Sequence, residues 1–552
     1  MNAVEVPVLI VGAGPVGLLG AHLLGRRGIR TLVAEKHARR LDAPKAHALN
    51  PRSLEICAAA GLPMEKIHAA ATAKEQGAHV RMMTALAGRE IGALPYERQD
   101  EAVRELTPWP LINIEQPKFE AILEEAAAAQ PNVDLRRGWE WLGCDQAPDA
   151  VTSTLRERVT GREIVVRSRY LIAADGANSI VRDRLGIAME GPAVLQHHLM
   201  IHFEADLTSI VGKCPAILYF LFGPGMGVFI AYDIAKTWVL MHPVQPDAAQ
   251  GEEFTDAKCR DIVRAAVGAD IPNLKIKGAG GWAMSAQVAD RYRVGNVFLA
   301  GDAAHRFPPT GGLGLNTGVA DIDNLAWKIA AVGKGWAGPG ILDSYEPERR
   351  AVAQTNMSQS LTNAMRMFAL FEALGCMPGQ PVDIAAFNAR LDDPIAREKI
   401  DAAVAYQKDH FDSLRLQLGY AYGDALKSDA DLPVSAFTPK AVAGARLPHV
   451  AIDGNRSTLD LLDHDSFTLI TGKDAAAWKT LRTLASLKVV SDGIEFAATG
   501  WTSRMGLTDS GALLVRPDGH ILCVANSVAD TGAITRALVD YTKPANVTER
   551  IG

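Results

Sequence analysis

Cysteine is scarce: six residues (Cys57, Cys144, Cys214, Cys259, Cys376 and Cys523) in 552, none in a CxxC pair and none at metal-ligand spacing. That excludes a disulfide-stapled scaffold, leaves no metal site to name, and suits a reducing compartment. An excess of charge is missing too. Lys and Arg number 57 against 63 Asp and Glu, and the resulting −6 gives no electrostatic case for nucleic acid or an anionic membrane as partner. Long apolar runs are nearly absent. Residues 6–20 are apolar enough for a signal-peptide core, but no Lys or Arg precedes them and a glycine turn lies inside, which argues against export. No other run is long enough to span a bilayer. A cytoplasmic protein of roughly three or four domains is expected at this length.

What is there begins at once. VEVPVLIVGAGPVGLLGAHLLGRRGIRTLVAEK reads as an apolar strand, a turn carrying Gly12, Gly14 and Gly17, a small-residue helix, and a second strand ending at Glu35. In such a unit the first glycine bends the chain tightly and the second lets backbone approach a pyrophosphate. The third lets helix and strand pack closely, and the free N–H groups at the helix start favour an anion. An acid at the tip of the second strand is placed to accept hydrogen bonds from a ribose. The stretch is expected to bind a dinucleotide, with Ala13, Pro15 and Val16 completing the turn and Lys36 beside the acid.

The same grammar recurs twice. SRYLIAADGANSIVRDRLGI is an apolar strand ending in Asp175 and Gly176, with Ser179 and Arg182 opening a helix. VGNVFLAGDAAHRFPPTGGLGLNTG is a strand running into Asp302, a proline loop and a glycine-rich turn before a long helix. The open amides of that turn, at Gly311, Gly312 and Gly314, form a second place for negative charge. Two nucleotide-type elements so far apart imply one long ligand touching both. Between them, residues 195–290 alternate polar and apolar positions and contain a Gly-Pro-Gly hairpin signal, reading as an antiparallel sheet with one covered face and one face lining a cavity. Its aromatic residues, Phe222 and Tyr232 among them, are by type core residues first. Elsewhere, a helix is expected over 113–130 with Gln116 at its mouth, and Met357, Met365 and Met367 are read as core filling. The stretch 375–440 is read as a mixed linker, and the last hundred residues as a small separate α/β domain.

Together, GAGPVG with Glu35, DGANSIVR, and GDAAHRFPPTGGLGLNTG resemble the single-component FAD-dependent aromatic hydroxylases, near the phenol, chlorophenol and polyketide hydroxylases. The resemblance implies an α/β fold. A Rossmann-like FAD-binding domain would occupy 1–190 and 291–400, an inserted antiparallel substrate domain 191–290, a linker 401–440, and a thioredoxin-like domain 441–552. Lacking CxxC, that last domain is expected to be structural or oligomerising, and a homo-oligomer, with a dimer favoured, is expected. Activity would be NAD(P)H-consuming monooxygenation of a phenol through a flavin hydroperoxide, with molecular oxygen and a small aromatic substrate as partners and nicotinamide bound only transiently. A polycyclic polyketide or antibiotic substrate is the alternative, and a non-hydroxylating or electron-transfer flavoprotein a further one.

By the same resemblance FAD would be held by Gly12, Ala13, Gly14, Pro15, Val16, Gly17, Glu35, Lys36, Lys45, Ala46, Gln116, Asp175, Gly176 and Arg182. At the flavin end the residues are Asp302, Pro309, Gly312, Leu313, Gly314, Leu315 and Asn316. Lys45 stands where the family usually has Arg, keeping the charge without the bidentate fork. His47, by type a loop histidine, falls where chlorophenol hydroxylases resemble one another in carrying a His and phenol hydroxylases an Asp. It is the candidate base, His305 its rival with a structural role favoured for the latter. Pro308, in the proline loop, is grouped with His47 at the reacting end, and Phe222, Met226 and Tyr232 are candidate substrate contacts.

Overall fold

A computed structural model describes residues 3–40, 46–223, 225–245, 254–378, 380, 382–427, 431–452, 456–473, 478–483, 486–498 and 500–542. The opening strand Ala3–Val11 lies inside an eight-stranded sheet ordered Arg293–Val294, Val297–Leu299, Glu163–Ala173, Ala3–Val11, Thr31–Glu35, Val133–Arg137. A hairpin, Trp139–Ala147 with Ala150–Glu157, continues antiparallel from Glu163–Ala173. The five strands from Val297–Leu299 to Val133–Arg137 are parallel, and their register aligns their carboxyl ends: Val11 pairs with Ala173 and Ala34, and Ala173 with Leu299. The three strand–turn elements of the sequence therefore sit side by side in one sheet, and their turns emerge at one edge.

Small residues set how closely the helices approach that edge. The helix Pro15–Arg26 begins directly after the turn. A Cβ on Gly17 would lie 2.0 Å from the Gly12 carbonyl oxygen, and one on Gly20 would lie 2.7 Å from Ile322. The long helix Leu313–Gly333 thus packs against the first helix, buried along most of its length.

The second sheet has seven strands, ordered Lys275–Met284, Gln196–Glu204, Thr237–Val244, Gly227–Asp233, Leu218–Leu221, His79–Met83, Glu90–Pro95. Its membership departs from the expected 191–290 span, because two strands come from residues 79–95. They were not separable by sequence, being short and only partly apolar, and they join through tertiary pairing of Leu218–Leu221 with His79–Met83. The expected division of faces is observed. Leu199, Ile201, Phe203, Tyr219, Phe229 and Trp238 pack in a core with Cys259 and Val263 of the helix Asp256–Val267. The other face carries Met200, Ile230, Val239 and Met241.

The described residues of 401–440, expected as a linker, pack against the rest of the chain. Val404, Phe411, Leu414 and Leu418 are buried, so this segment is part of the wall rather than a tether. Of the three methionines read as core, Met367 is buried while Met365 is 59% exposed. The C-terminal residues form a mixed four-stranded sheet, Leu487–Ser491, Phe467–Thr471, Ala512–Val515, Ile521–Ala525, with its first pair parallel and the others antiparallel. This unit is not separate in its packing: Phe467, Leu514 and Ile534 share one core with Trp327 and Ile341.

A buried ionic network crosses the same junction. Arg516 donates to Glu348 at 2.7 and 3.0 Å and to Asp518 at 2.5 and 3.0 Å, and Lys328 Nζ donates to Glu348 at 2.8 Å. Burial alone would raise the Glu348 carboxyl, but Arg516 and Lys328 hold it down at about 2. Its contribution is therefore complete above the ordinary glutamate range and is lost as pH falls from ~4.5 toward that value. Removing the carboxylate leaves Lys328 buried without its ion-pair partner and Arg516 with Asp518 alone, so Glu348→Ala is expected to destabilise the fold by about 3–5 kcal/mol. Urea denaturation at pH 7 checks this, and a loss below about 1 kcal/mol would deny the network its role.

Candidate active site

The carboxyl edge of the first sheet and the open face of the second enclose a single cleft of about 2230 Å³. That is about twice the ~1,000 Å³ upper end of a site for one small molecule, so two ligands can share it. At one end lie Gly12, Ala13, Gly14, Pro15, Val16, Glu35 and Lys36. Gly12 has φ 104, and a Cβ there would lie 2.3 Å from Ala174 O, so only glycine makes this bend. The Glu35 carboxylate accepts from the amides of Ala13 (2.9 Å) and His37 (2.8 Å), which fixes it at the strand tip beside the turn.

Midway, Asp175 accepts from Ser179 Oγ at 2.6 Å and from Val181 N at 3.2 Å. Burial raises its carboxyl above the usual range, and these two donors oppose that. At the other end Asp302, Phe307, Pro308, Pro309 and residues 311–315 line the cleft. The helix Leu313–Gly333 starts here with no side-chain cap, from Gly312 at φ 62, so its first amides point into the cleft region unclaimed by a cap. Both turns leave open space at one glycine. A Cβ on Gly14 or on Gly314 would meet no atom within 4 Å, although neighbouring glycines are crowded.

His47 stands between this end and the second sheet. The loop carrying it is clamped from both sides: Ala46 N donates to Gln116 Oε1 (3.2 Å), Gln116 N to Ala46 O (3.1 Å), and Ile114 N to His47 O (2.6 Å). Its ring lies 5.7 Å from Tyr96 and 6.4 Å from Tyr232. Nδ1 is 3.0 Å from Asn113 Oδ1, while Asn113 Nδ2 donates to Gly77 O at 3.2 Å. The amide orientation is thereby set, so Nδ1 carries the hydrogen and Nε2 the lone pair. Burial lowers the His47 pKa below 6.5, the Asn113 bond opposing, so the ring is neutral at pH 7.

The FAD binding domain family matches residues 5–360, and the family described as aromatic-ring hydroxylase, C-terminal, matches residues 440–544. The chain belongs to the FAD-dependent aromatic-ring hydroxylases. It is 33% identical to 2,4-dichlorophenol 6-monooxygenase of Cupriavidus pinatubonensis, over 95% of this chain and 94% of that one. It is 32% identical to aklavinone 12-hydroxylase RdmE of Streptomyces purpurascens, over 97% and 98%. A solved structure of the flavin-dependent monooxygenase PieE with FAD and substrate superposes with a TM-score of 0.91 at 31% identity, covering 98% of this chain and 99% of that one. The hydroxylase is thus a flavoprotein monooxygenase with FAD as cofactor and NAD(P)H as cosubstrate. Among the described residues no helix is long and apolar enough to cross a membrane.

Most residues expected at the site line the hydroxylase's cleft, including Ala46, His47, Gln116, Gly176, Phe222 and Met226. Four do not. Gly17 is sealed under the turn. Arg182 is spent on Ala177 O and Ala303 O, tying the middle element to the Asp302 loop. Asn316 turns inward, its Oδ1 accepting from Asn50 N and Ser53 Oγ and its Nδ2 donating to Ala48 O and Gly312 O. Tyr232 packs behind His47, outside the lining, with its hydroxyl buried. Lys45 lies outside the described residues. His305 is wholly buried on Asp321 (2.8 Å) and stacked on Phe307, which removes it as a rival base. Sequence reasoning missed Tyr96, Arg39, Arg40 and Arg137, which line the cleft from elements carrying no motif.

Gly14 and Gly17 separate binding from folding. Gly14→Val places a side chain in open space, so FAD content after purification is expected to fall at least tenfold with far-ultraviolet circular dichroism unchanged. Gly17→Val collides with backbone and is expected to abolish soluble folded protein. Equal behaviour of the two variants would contradict this assignment.

Proposed function

We propose that the hydroxylase oxidises a phenolic ring held over the second sheet, with His47 taking the phenol proton. FAD would lie along the cleft, its ADP half at Gly12–Gly17 and Glu35, its ring system near Pro308, Pro309 and the amides of residues 312–315. When bound, the flavin supplies reduction by NAD(P)H and activation of molecular oxygen. The chain's own residues supply the rest. The uncapped amides at the start of the Leu313–Gly333 helix favour negative charge on the bound group, with no reorganisation needed. Phe307, Pro308 and the apolar sheet face exclude water. His47 Nε2 accepts the hydroxyl proton, which makes the ring electron-rich.

The observation that carries this reading is the fixed tautomer of His47. Asn113, held by Gly77, leaves one lone pair on the ring, and it belongs to a neutral imidazole. Tyr96 and Tyr232 keep the ring from turning. A purely electron-transferring flavoprotein has no use for an apolar chamber beside such a base. The finer fold reading goes with the same proposal: a Rossmann-like first domain, and a C-terminal unit whose parallel pair and antiparallel hairpin support a thioredoxin-like fold serving assembly, as a dimer, rather than redox exchange.

Neutral His47 is the active form, so kcat/KM should fall as pH drops through a midpoint below 6.5, the ordinary value being lowered by burial. His47→Gln is expected to remove this acid limb and lower turnover of phenols by roughly 10²-fold or more, with FAD content retained. An acid limb that persists in the variant would assign it to another group and remove His47 from the role.

A further inference from the structure

We propose that Glu97 is a positioning residue of the hydroxylase: its buried side chain clamps the chain carrying Tyr96 to the segment 410–418 and thereby fixes the ring of His47. This rests on the reading of His47 as the base and adds the residue that holds it in place.

Glu97 is kept in a backbone conformation that a glutamate does not favour. Its φ is 53 and it is 4% exposed, whereas the other two non-glycine residues at positive φ, Asn273 and Ser486, are not buried. A non-glycine residue in the left-handed region persists where its surroundings over-determine it, and such residues gather at functional sites. The surroundings here are explicit. Glu97 N donates to Phe411 O at 2.6 Å. One carboxylate oxygen accepts from Ser413 N (2.9 Å) and Gln417 Nε2 (2.7 Å), the other from Ser413 Oγ (3.1 Å). Among the described residues no cation pairs with Glu97, so the group serves hydrogen bonding rather than charge pairing. Burial pushes its pKa up to about 7, the Ser413 amide opposing. The clamp holds in either protonation state, because the Ser413 hydroxyl can donate to a carboxylate or accept from a carboxyl.

The two sides it joins both reach the reacting end. On one side Tyr96 is locked by its own backbone, its N donating to Ala78 O at 2.8 Å and its O accepting from Gln99 Nε2 at 2.8 Å. Its ring lines the cleft 5.7 Å from that of His47. On the other side His410 and Phe411 line the cleft with their rings stacked 4.0 Å apart. Leu416, in the helix Leu414–Leu418 that carries Gln417, packs with Leu313 at the start of the helix of uncapped amides. One side chain thus ties the neighbour of the base to a wall of the chamber and to the back of the flavin end. With the clamp cut, Tyr96 can retreat from His47, and the imidazole gains both rotation and water.

The test compares Glu97→Ala, which removes the clamp, with Glu97→Gln, whose amide can accept from Ser413 N and Gln417 and donate to Ser413 Oγ. Both are assayed FAD-loaded, with phenol or 2,4-dichlorophenol, whichever the wild-type enzyme oxidises faster. Glu97→Ala should retain FAD and lower kcat/KM at pH 8 by about tenfold or more, the effect of a misplaced reacting group. It should also move the acid-limb midpoint of His47 upward toward 6.5, as water reaching the ring relieves the desolvation that lowers it. Glu97→Gln should restore both. Should the Ala variant purify without FAD, Gln417→Met, which cuts a single bond of the clamp, decides by a smaller shift of the limb in the same direction. A lowered kcat/KM with an unmoved acid limb would make Glu97 merely structural and overturn the proposal while leaving His47 in its role. Glu97→Gln behaving like Glu97→Ala would overturn it too. An acid limb that persists in His47→Gln would instead remove the underlying reading of the base, and the clamp's purpose with it.

Discussion

The reactive end of the cleft depends on one carboxylate. Asp321 is fully buried in the long helix; it accepts from Arg349 Nε and His305 Nε2, each at 2.8 Å, and from the amide of Gly301 at 3.2 Å. Burial would push its pKa up, but His305 and Arg349 bring it below the usual aspartate value, so it is ionised. Through these bonds the helix is locked to the residue preceding Asp302, and the Arg349 end reaches the next long helix, Tyr345–Leu374. The uncapped amides and Asp302 are thus held in one rigid relation. A buried charge is tolerated because every polar demand on it is met.

The second constraint is the division of the seven-stranded sheet into two faces. Period-two alternation sends Leu199, Ile201 and Phe203 into a packed core and leaves Met200, His202 and Gly280 facing the cleft. The substrate chamber is therefore a surface whose back is rigidly supported, and its own side chains can be varied without dismantling the domain. Its edge strand carries Gly278 and Gly280, and its opposite margin is walled by Phe411 and His410.

The C-terminal unit is bound to this machinery through charge and packing together. Glu348 and Arg349 are consecutive on one helix: Glu348 faces Arg516 and Lys328 at the junction, and Arg349 faces Asp321 at the cleft's far end. Trp327 packs edge-on to Phe467 at 5.8 Å and donates its indole hydrogen to Asp518 at 3.2 Å. A domain without CxxC thus buttresses the helix from which the reactive end is built.

Local grammar was legible because it is written in consecutive residues. The strand–turn–helix around Gly12–Gly17, the acid at Glu35, and the turns at Asp175 and Asp302 each need a contiguous run of residue types whose backbone demands leave little choice. The helix start at Gln116 and the alternation of residues 196–204 were readable for the same reason. What sequence could not decide was partnership. That strands 79–83 and 90–95 belong to the substrate sheet, that Asn316 and Arg182 turn away from the cleft, and that Met365 is exposed all follow from what packs beside them. His47 shows the division most clearly: the chain alone placed a histidine in a loop, whereas its tautomer is set by Asn113, distant in sequence, held in turn by Gly77. Residue order determines local conformation through backbone sterics, but proton position, burial and facing depend on neighbours that only the folded chain brings together.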